Sequence, residues 1–316
     1  MNNARVSAED LHRVLEAEVR KLRSGEEWTR WLDAAALFPR YGFGNVVLIT
    51  LQMPEASWVA GFKAWGKLGR RVKAGRGIKI LAPIHARPKT ESAEQPEQPA
   101  VVEGTDAQLV GFRVTTVWDI THTVGAPIPQ PPTPAPVVGT APVGLWDALA
   151  REVGASGFTL SRRSTGDDSE GFTDYVEREI VIGDRLDDVT AVARLAHEVG
   201  HLRMHSPAED AGAGNIMCRG VREVEAESVA YIVLAHHGLT VDGSSFPYVA
   251  GWASTVDEKE PERVIKATGA RVVNTARQLI DSTSTHMETN RPTLSLAPAT
   301  ETDLLFVPPG LNGPEL

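Results

Sequence analysis

Leu195-Ala196-His197-Glu198-Val199-Gly200-His201 places two histidines four residues apart, with a glutamate directly after the first. On an α-helix, positions i and i+4 share a face, so both imidazoles reach the same point beside the helix. Two imidazoles at one point are half of a zinc site, and the adjacent carboxylate is placed to take a proton from water held there. Zinc lowers the pKa of such a water to about 7, which yields hydroxide at neutral pH. The pattern is H-E-x-x-H, and the chemistry expected of it is zinc-dependent peptide hydrolysis with Glu198 as general base. The plainer reading is a helix with two surface histidines. Against it, Val189, Val192, Leu195 and Val199 recur at helical spacing, no proline interrupts them, and Asp187 and Asp188 supply a cap.

Zinc needs a third protein ligand and an open position. The stretch Glu223-Val224-Glu225-Ala226-Glu227-Ser228-Val229-Ala230-Tyr231 offers three carboxylates on one expected helix. Glu223 and Glu227 share a face, whereas Glu225 points about 200° away from Glu223. A ligand with a supporting carboxylate beneath it needs the shared face. Glu223 is therefore the expected third metal ligand beside His197 and His201, and Glu227 the residue that hydrogen-bonds a ligand histidine. Glu225 is the runner-up ligand, and three solvated glutamates are the plainer alternative. His205 is read as a solvent-exposed helix end, with a fourth-ligand or oxyanion role as the alternative. His236 and His237 close a helix, where the dipole favours cations. Tyr231 is read as packing, with carbonyl polarisation as its alternative. Cys218 is expected in the loop between the two site helices as an ordinary small residue.

Working outward, Leu145 to Val153 reads as a helix. Residues 157–160 and 175–182 read as strands, and residues 260–281 as a last helix with Pro261 in its first turn. Its apolar face is Ile265, Val272, Ala276 and Leu279. From residue 283 the chain is rich in Thr, Pro, Ser and Asn and is expected to be a disordered tail. Residues 126–142 contain seven prolines and read as a semi-rigid linker that cannot build a core. The expected organisation is thus α+β with two domains, 1–125 and 143–282, joined by that linker and followed by the 283–316 tail.

In the first domain, Ser7 with Asp10 resembles a capping box, opening an amphipathic helix over residues 7–23 with Leu11, Val14, Leu15 and Val19 as its stripe. A second, buried helix covers Tyr41 to Gln52 and ends before Pro54. Short strands are expected at Trp58-Val59-Ala60, around Val72 and at Ile78-Lys79-Ile80-Leu81, with a short helix or turn at residues 62–65. Residues 86–108, rich in Glu, Gln and Pro, read as a mobile loop between two strands.

The charge pattern carries the functional information here. Residues 56–90 hold no acidic residue and nine basic ones, with Trp58, Phe62 and Trp65 interleaved. Cations that track a phosphate backbone, with aromatic faces for bases, are what a single-stranded nucleic-acid groove needs. The candidates are Lys63, Trp65, Lys67, Arg70, Arg71, Lys73 and Arg76. A solvated basic face over an ordinary core weighs equally from composition alone.

Two sets of motifs resemble a known family. Asn45-x-x-Leu48-Ile49-x-x-Gln52-x-Pro54, Gly61-Phe62-x-x-Trp65-x-x-x-Gly69-Arg70-x-Val72, Gly75-x-Gly77-Ile78-x-Ile80-Leu81-x-Pro83 and Val117-Trp118-Asp119-Ile120 with Thr123 are similar to the N-terminal domain of ArdC-type antirestriction proteins. The resemblance implies a single-stranded-DNA-binding domain. His197-Glu198-x-Gly200-His201, Glu223-x-x-x-Glu227-x-x-Ala230, Gly238-Leu239 and Tyr248-x-x-x-Trp252 resemble the gluzincin-type peptidase domain of the ArdC and ImmA/IrrE families. That resemblance implies a zinc metallo-endopeptidase with a small mixed sheet.

The remaining sequence facts bound these expectations. The net charge of −9 alone argues against nucleic-acid binding, but it is segregated, +3 over residues 1–125 and −12 beyond. A single cysteine excludes a disulfide framework, and no run of 18 apolar residues appears, so no membrane-spanning helix is expected. A cytoplasmic protein is expected, with Zn2+ as cofactor and single-stranded DNA and a protein substrate as partners. Three functions compete. One is a DNA-directed zinc peptidase, in antirestriction or DNA–protein crosslink processing. Another is a non-catalytic single-stranded-DNA-binding protein that shields incoming DNA from nucleases. The third is a regulatory peptidase that cuts one repressor.

Overall fold

The computed structural model describes residues 6–75, 77–86, 108–125, 141–165, 170–205, 216–239, 253, 257 and 259–289. It is a mixed α+β structure. The linker prolines before Pro142, Arg76, the 87–107 connection, Tyr248, Trp252 and the chain beyond Thr289 lie outside the described residues. Among the described residues no helix is long and apolar enough to cross a membrane.

The chain opens with helix α1 (Ala8–Val19), extended by a 3-10 turn at Arg20–Arg23. The expected capping box is present: Ser7 Oγ accepts from the Asp10 amide, and Asp10 Oδ2 accepts from the Ser7 amide. Leu11, Leu15 and Val19 are buried; Val14 is exposed, because the stripe is narrower than its spacing suggested. Helix α2 (Gly25–Leu37) was not anticipated. Its sequence carries the signal nonetheless. Trp28, Trp31, Leu32 and Ala35 stand at i, i+3, i+4 and i+7 and are all buried, and Ser24 caps the Glu27 amide. Helix α3 (Phe43–Gln52) follows, with Val46 through Ile49 buried.

A three-stranded sheet comes next, ordered β1 (Val59–Gly61), β4 (Gln108–Asp119), β3 (Ile78–Ala86), all antiparallel. Helix α4 (Phe62–Lys67) follows β1. Strand β2 (Arg70–Val72) pairs not with β3 but with β5 (Thr123–Gly125). Strands β2 and β3, consecutive in sequence, therefore belong to two different sheets. Strands β3 and β4 are partners, so the undescribed 87–107 segment joins the two strands of one antiparallel pair.

The second half begins with α5 (Leu145–Ala155) and a sheet ordered β6 (Thr159–Arg163), β8 (Glu179–Gly183), β7 (Gly171–Asp174). Strand β8 is parallel to β6 and antiparallel to β7, a small mixed sheet. The expected strand over residues 175–182 starts late. Residues 175–178 form a turn, with Arg178 at φ 54, that folds β7 back onto β8. Helices α6 (Asp188–Met204), α7 (Ile216–His236) and α8 (Pro261–Thr289) complete the fold. Cys218 is thus on helix α7 and not in a loop. Gly238, at φ 82, ends α7: its amide donates to Ala235 O and the Leu239 amide to Leu234 O, with Leu239 buried. Helix α8 continues past the expected start of the tail, with Thr283 buried and bonded back to Leu279 O.

The core is continuous across both halves. Helix α2 packs on α7, where Trp28 Nε1 donates to Ser228 Oγ (3.0 Å, buried) and Tyr231 Oη donates to Asp33 Oδ1 (2.6 Å). Helix α8 also touches α1 and α3. The two halves are therefore joined by buried side chains as well as by the chain between them.

Candidate metal centre

Helix α6 starts where Asp187 accepts from the Thr190 amide, and it runs uninterrupted through both histidines. The buried face of Ala191, Val192, Leu195, Ala196 and Val199 sets its rotation. Helix α7 lies against it at close range. A Cβ on Gly200 would stand 2.9 Å from Ala226 O and 3.1 Å from Ala226 Cα, so the glycine permits the approach. That approach brings the carboxylates of α7 over the histidines of α6.

His197, His201 and Glu223 each present one ligand atom, and the three lie within 4.8 Å of one another. His197 Nε2 and His201 Nε2 are 3.0 Å apart, and Glu223 Oε2 is 3.5 Å from each. Ligands about 2.0–2.2 Å from a tetrahedral ion stand roughly 3.3–3.5 Å apart, so the triangle fits a small divalent cation. The donor set, two imidazoles and one carboxylate, suits such an ion chemically. Electrostatics agree. Burial opposes charge on His197, yet its hydrogen bonds to Glu223 and Glu227 push its pKa up to about 9. His197 and then His201 hold the Glu223 carboxyl well below the usual carboxylate range. The centre of the triangle favours positive charge.

The surrounding groups fall into place around it. Glu227 Oε2 is 2.8 Å from His197 Nδ1, which leaves Nε2 facing the triangle. Glu198 is buried, and Thr173 Oγ1 on edge strand β7 donates to its Oε2 at 2.8 Å. Thr173 escaped the sequence reading, because the polar stretch around β7 shows no strand pattern. Glu225, the runner-up ligand, lies elsewhere: it is 2% exposed and hydrogen-bonded to His205 Nε2 (3.1 Å). His205 is buried, which corrects the expectation of a solvent-exposed helix end. The i+4 spacing from His201 was the available signal. Tyr231 faces Asp33 on α2. His236 and His237 lie at the far end of α7, where His237 Nε2 meets Thr283 Oγ1 at 2.8 Å. A small cavity beside the triangle is lined by Glu170, Thr190, Ala193, Arg194, His197 and Glu227.

The basic candidates sit on the opposite half. Lys63, Lys67, Arg71 and Lys73 are exposed around α4 and β2. Arg70 is half-buried, with Nε donating to Thr123 Oγ1 at 2.7 Å. Arg76 lies outside the described residues. Trp65 corrects the expectation of a base-stacking surface: it is 0% exposed and donates Nε1–H to Trp118 O (2.9 Å). Trp65 is the buried residue of the six-residue helix α4. The exposed aromatic is Phe62, 62% accessible, edge-on to Trp118 at 6.1 Å.

Fold and site together define an α+β protein with a candidate divalent-metal centre of two histidines and one glutamate. No protein-family model matches the sequence. The chain is similar to the uncharacterized protein pXO2-81 of Bacillus anthracis, 23% identical over 319 residues, covering 90% of this chain and 53% of the relative. It thus spans about half the length of the curated relative that it matches. Crystal structures of the antirestriction protein ArdC from the R388 plasmid are also similar. The metal-free form gives a TM-score of 0.49 at 16% identity, and the Mn(II)-bound form 0.48 at 17%. Each alignment covers 79% of this chain and 86% of that one.

Proposed function

We propose that this chain is a zinc-dependent endopeptidase that acts on proteins held at or near single-stranded DNA, in antirestriction or in processing DNA–protein crosslinks. The observation that carries the reading is the convergence of His197, His201 and Glu223 on one point with the Glu198 carboxylate buried beside it. His197 Nε2, His201 Nε2 and the Glu223 carboxylate would hold the ion. Zinc bound there would supply Lewis acidity for the scissile carbonyl and an acidified water. Glu198 accepts the proton of the attacking water and delivers it to the departing amine as the C–N bond breaks. Thr173 donates to one oxygen of Glu198 and so helps to fix the carboxylate. Strand β7 ends the order of its sheet among the described residues, and an extended peptide laid along it would run past Glu198. Lys63, Lys67, Arg71 and Lys73 would track the phosphate backbone, with Phe62 in place of Trp65 as a stacking face. The motif resemblance to antirestriction proteins supports the DNA assignment.

The test joins a small protein covalently to a single-stranded oligonucleotide and treats it with wild type or Glu198→Gln, with and without chelator. Zinc-dependent cleavage by the wild type is expected, reduced at least about 100-fold in Glu198→Gln while zinc stays bound. Equal cleavage of the free protein would remove the DNA coupling. Tight oligonucleotide binding by both proteins without cleavage would replace this reading with non-catalytic DNA shielding.

A further inference from the structure

We propose that His205, Glu225 and Arg271 form a relay that fixes the His201 imidazole with its Nε2 lone pair turned to the metal centre. The inference rests on the metal-centre reading above and deepens it by giving His201 a positioning partner. His201 Nδ1 lies 3.1 Å from His205 Nδ1. An N···N contact at that distance holds one proton between two ring nitrogens. His205 Nε2 lies 3.1 Å from Glu225 Oε2. The other carboxylate oxygen of Glu225 accepts from Thr268 Oγ1 at 3.2 Å and from the Arg271 guanidinium.

With His205 neutral, the hydrogen bonds allow one arrangement of protons. Arg271 offers donors only, so the ionised Glu225 that pairs with it is the acceptor throughout, taking the Thr268 hydroxyl proton and the His205 Nε2–H. A neutral imidazole with a proton on Nε2 has a lone pair on Nδ1. His205 Nδ1 therefore accepts the His201 Nδ1–H. His201 Nε2 is left with its lone pair, facing His197 Nε2 and Glu223. His197, held through Nδ1 by Glu227, turns its own Nε2 to the same point.

Burial makes the relay costly to break. Glu225 is 2% exposed and His205 is buried, and a buried carboxylate is tolerated only where donors satisfy it. The donors come from two further helices, His205 at the end of α6 and Thr268 and Arg271 on α8. A carboxylate so placed on α7 holds the metal helix at its C-terminal end.

The test compares wild type, His205→Phe and His205→Gln. Gln offers an acceptor oxygen to His201 and an amide donor to Glu225, so it conserves both bonds of the relay. Zinc affinity is read by competition with a chromophoric chelator, and folding by circular dichroism. His205→Phe is expected to bind zinc about 10- to 100-fold more weakly, with His205→Gln recovering most of the loss. In ¹⁵N-labelled wild type, with and without zinc, a scalar coupling across the His201–His205 N–H···N bond is expected. The coupling also serves if the Phe variant does not fold. Equal affinities in all three proteins, or no coupling in the folded wild type, would overturn the relay alone. A wild type that binds no zinc would overturn the metal-centre reading and the relay with it.

Discussion

Single residues set the geometry of the site. Gly200 is the clearest case, because a methyl group there meets the backbone of Ala226 on the neighbouring helix. Gly200→Ala gains about 1 kcal/mol of helix propensity but must push α7 outward, at a packing cost of about 1–3 kcal/mol. If the proposed centre binds zinc, the expected outcome is binding weakened at least about tenfold with helical content retained, measured by chelator competition and circular dichroism. His237 gives a pH-dependent prediction remote from the ligands. Its burial, with the neighbouring His236 charge, pushes its pKa down to about 4. The unfolded chain therefore takes up this proton first as pH falls. The contribution is fully present above about pH 6.5 and is lost progressively toward about pH 4, up to about 3 kcal/mol in all. In urea titrations across that range, His237→Gln should remove this part of the slope. The three ligand candidates and Glu198 were legible as residues because helical spacing alone places them. The burial of His205, Glu225 and Trp65 was not, since it depends on which helix lies opposite.

Secondary-structure elements explain why the spaced motifs look as they do. Asn45 and Gln52 sit on one side of α3, and each uses its amide as a strand would. Asn45 donates Nδ2–H to Leu81 O (2.9 Å) and accepts the Leu81 amide (3.0 Å); Gln52 does the same to Lys79 O (2.8 Å) and the Lys79 amide (2.9 Å). The edge of β3 is thereby closed to pairing with another chain. Asn45→Ala leaves two backbone groups of Leu81 without these partners and should cost about 1–3 kcal/mol in denaturant titrations. If Asn45→Ala is as stable as wild type, the edge does not need the amide. The buried carboxylate of Asp119 plays a similar part at the end of β4. It accepts the Ser57, Trp58 and Thr121 amides, and these bonds outweigh its burial and hold its pKa below the usual range. Helix existence was readable from apolar spacing in α1, α6 and α8, and in α3 from an apolar run that ends before Pro54. Strand pairing was not, because β2 and β3 look like consecutive partners in sequence yet find β5 and β4.

The molecule as a whole joins its two halves through the helix that carries the carboxylates. Helix α7 turns Glu223 and Glu227 toward α6 and buries Ser228 and Tyr231 against α2, where Trp28 and Asp33 meet them. Trp28→Ala should therefore destabilise by about 3–5 kcal/mol and weaken divalent-metal binding at the candidate centre, although residue 28 is far from the histidines in sequence. Urea unfolding should follow one transition, with tryptophan fluorescence and far-ultraviolet circular dichroism coincident. Two separated transitions would mean that the halves fold independently. The sequence alone determined the helix that holds His197 and His201, the choice of Glu223 and Glu227 over Glu225 for the shared face, and the segregation of basic charge near residues 56–90. Those features follow from local periodicity and composition, which a chain carries before it folds. Tertiary structure decided what Glu225, His205 and Trp65 do, which strands pair, and that α2 completes the core against α7. Those outcomes depend on contacts between residues distant in sequence, where close packing and the need to satisfy every buried polar group choose among locally equivalent arrangements.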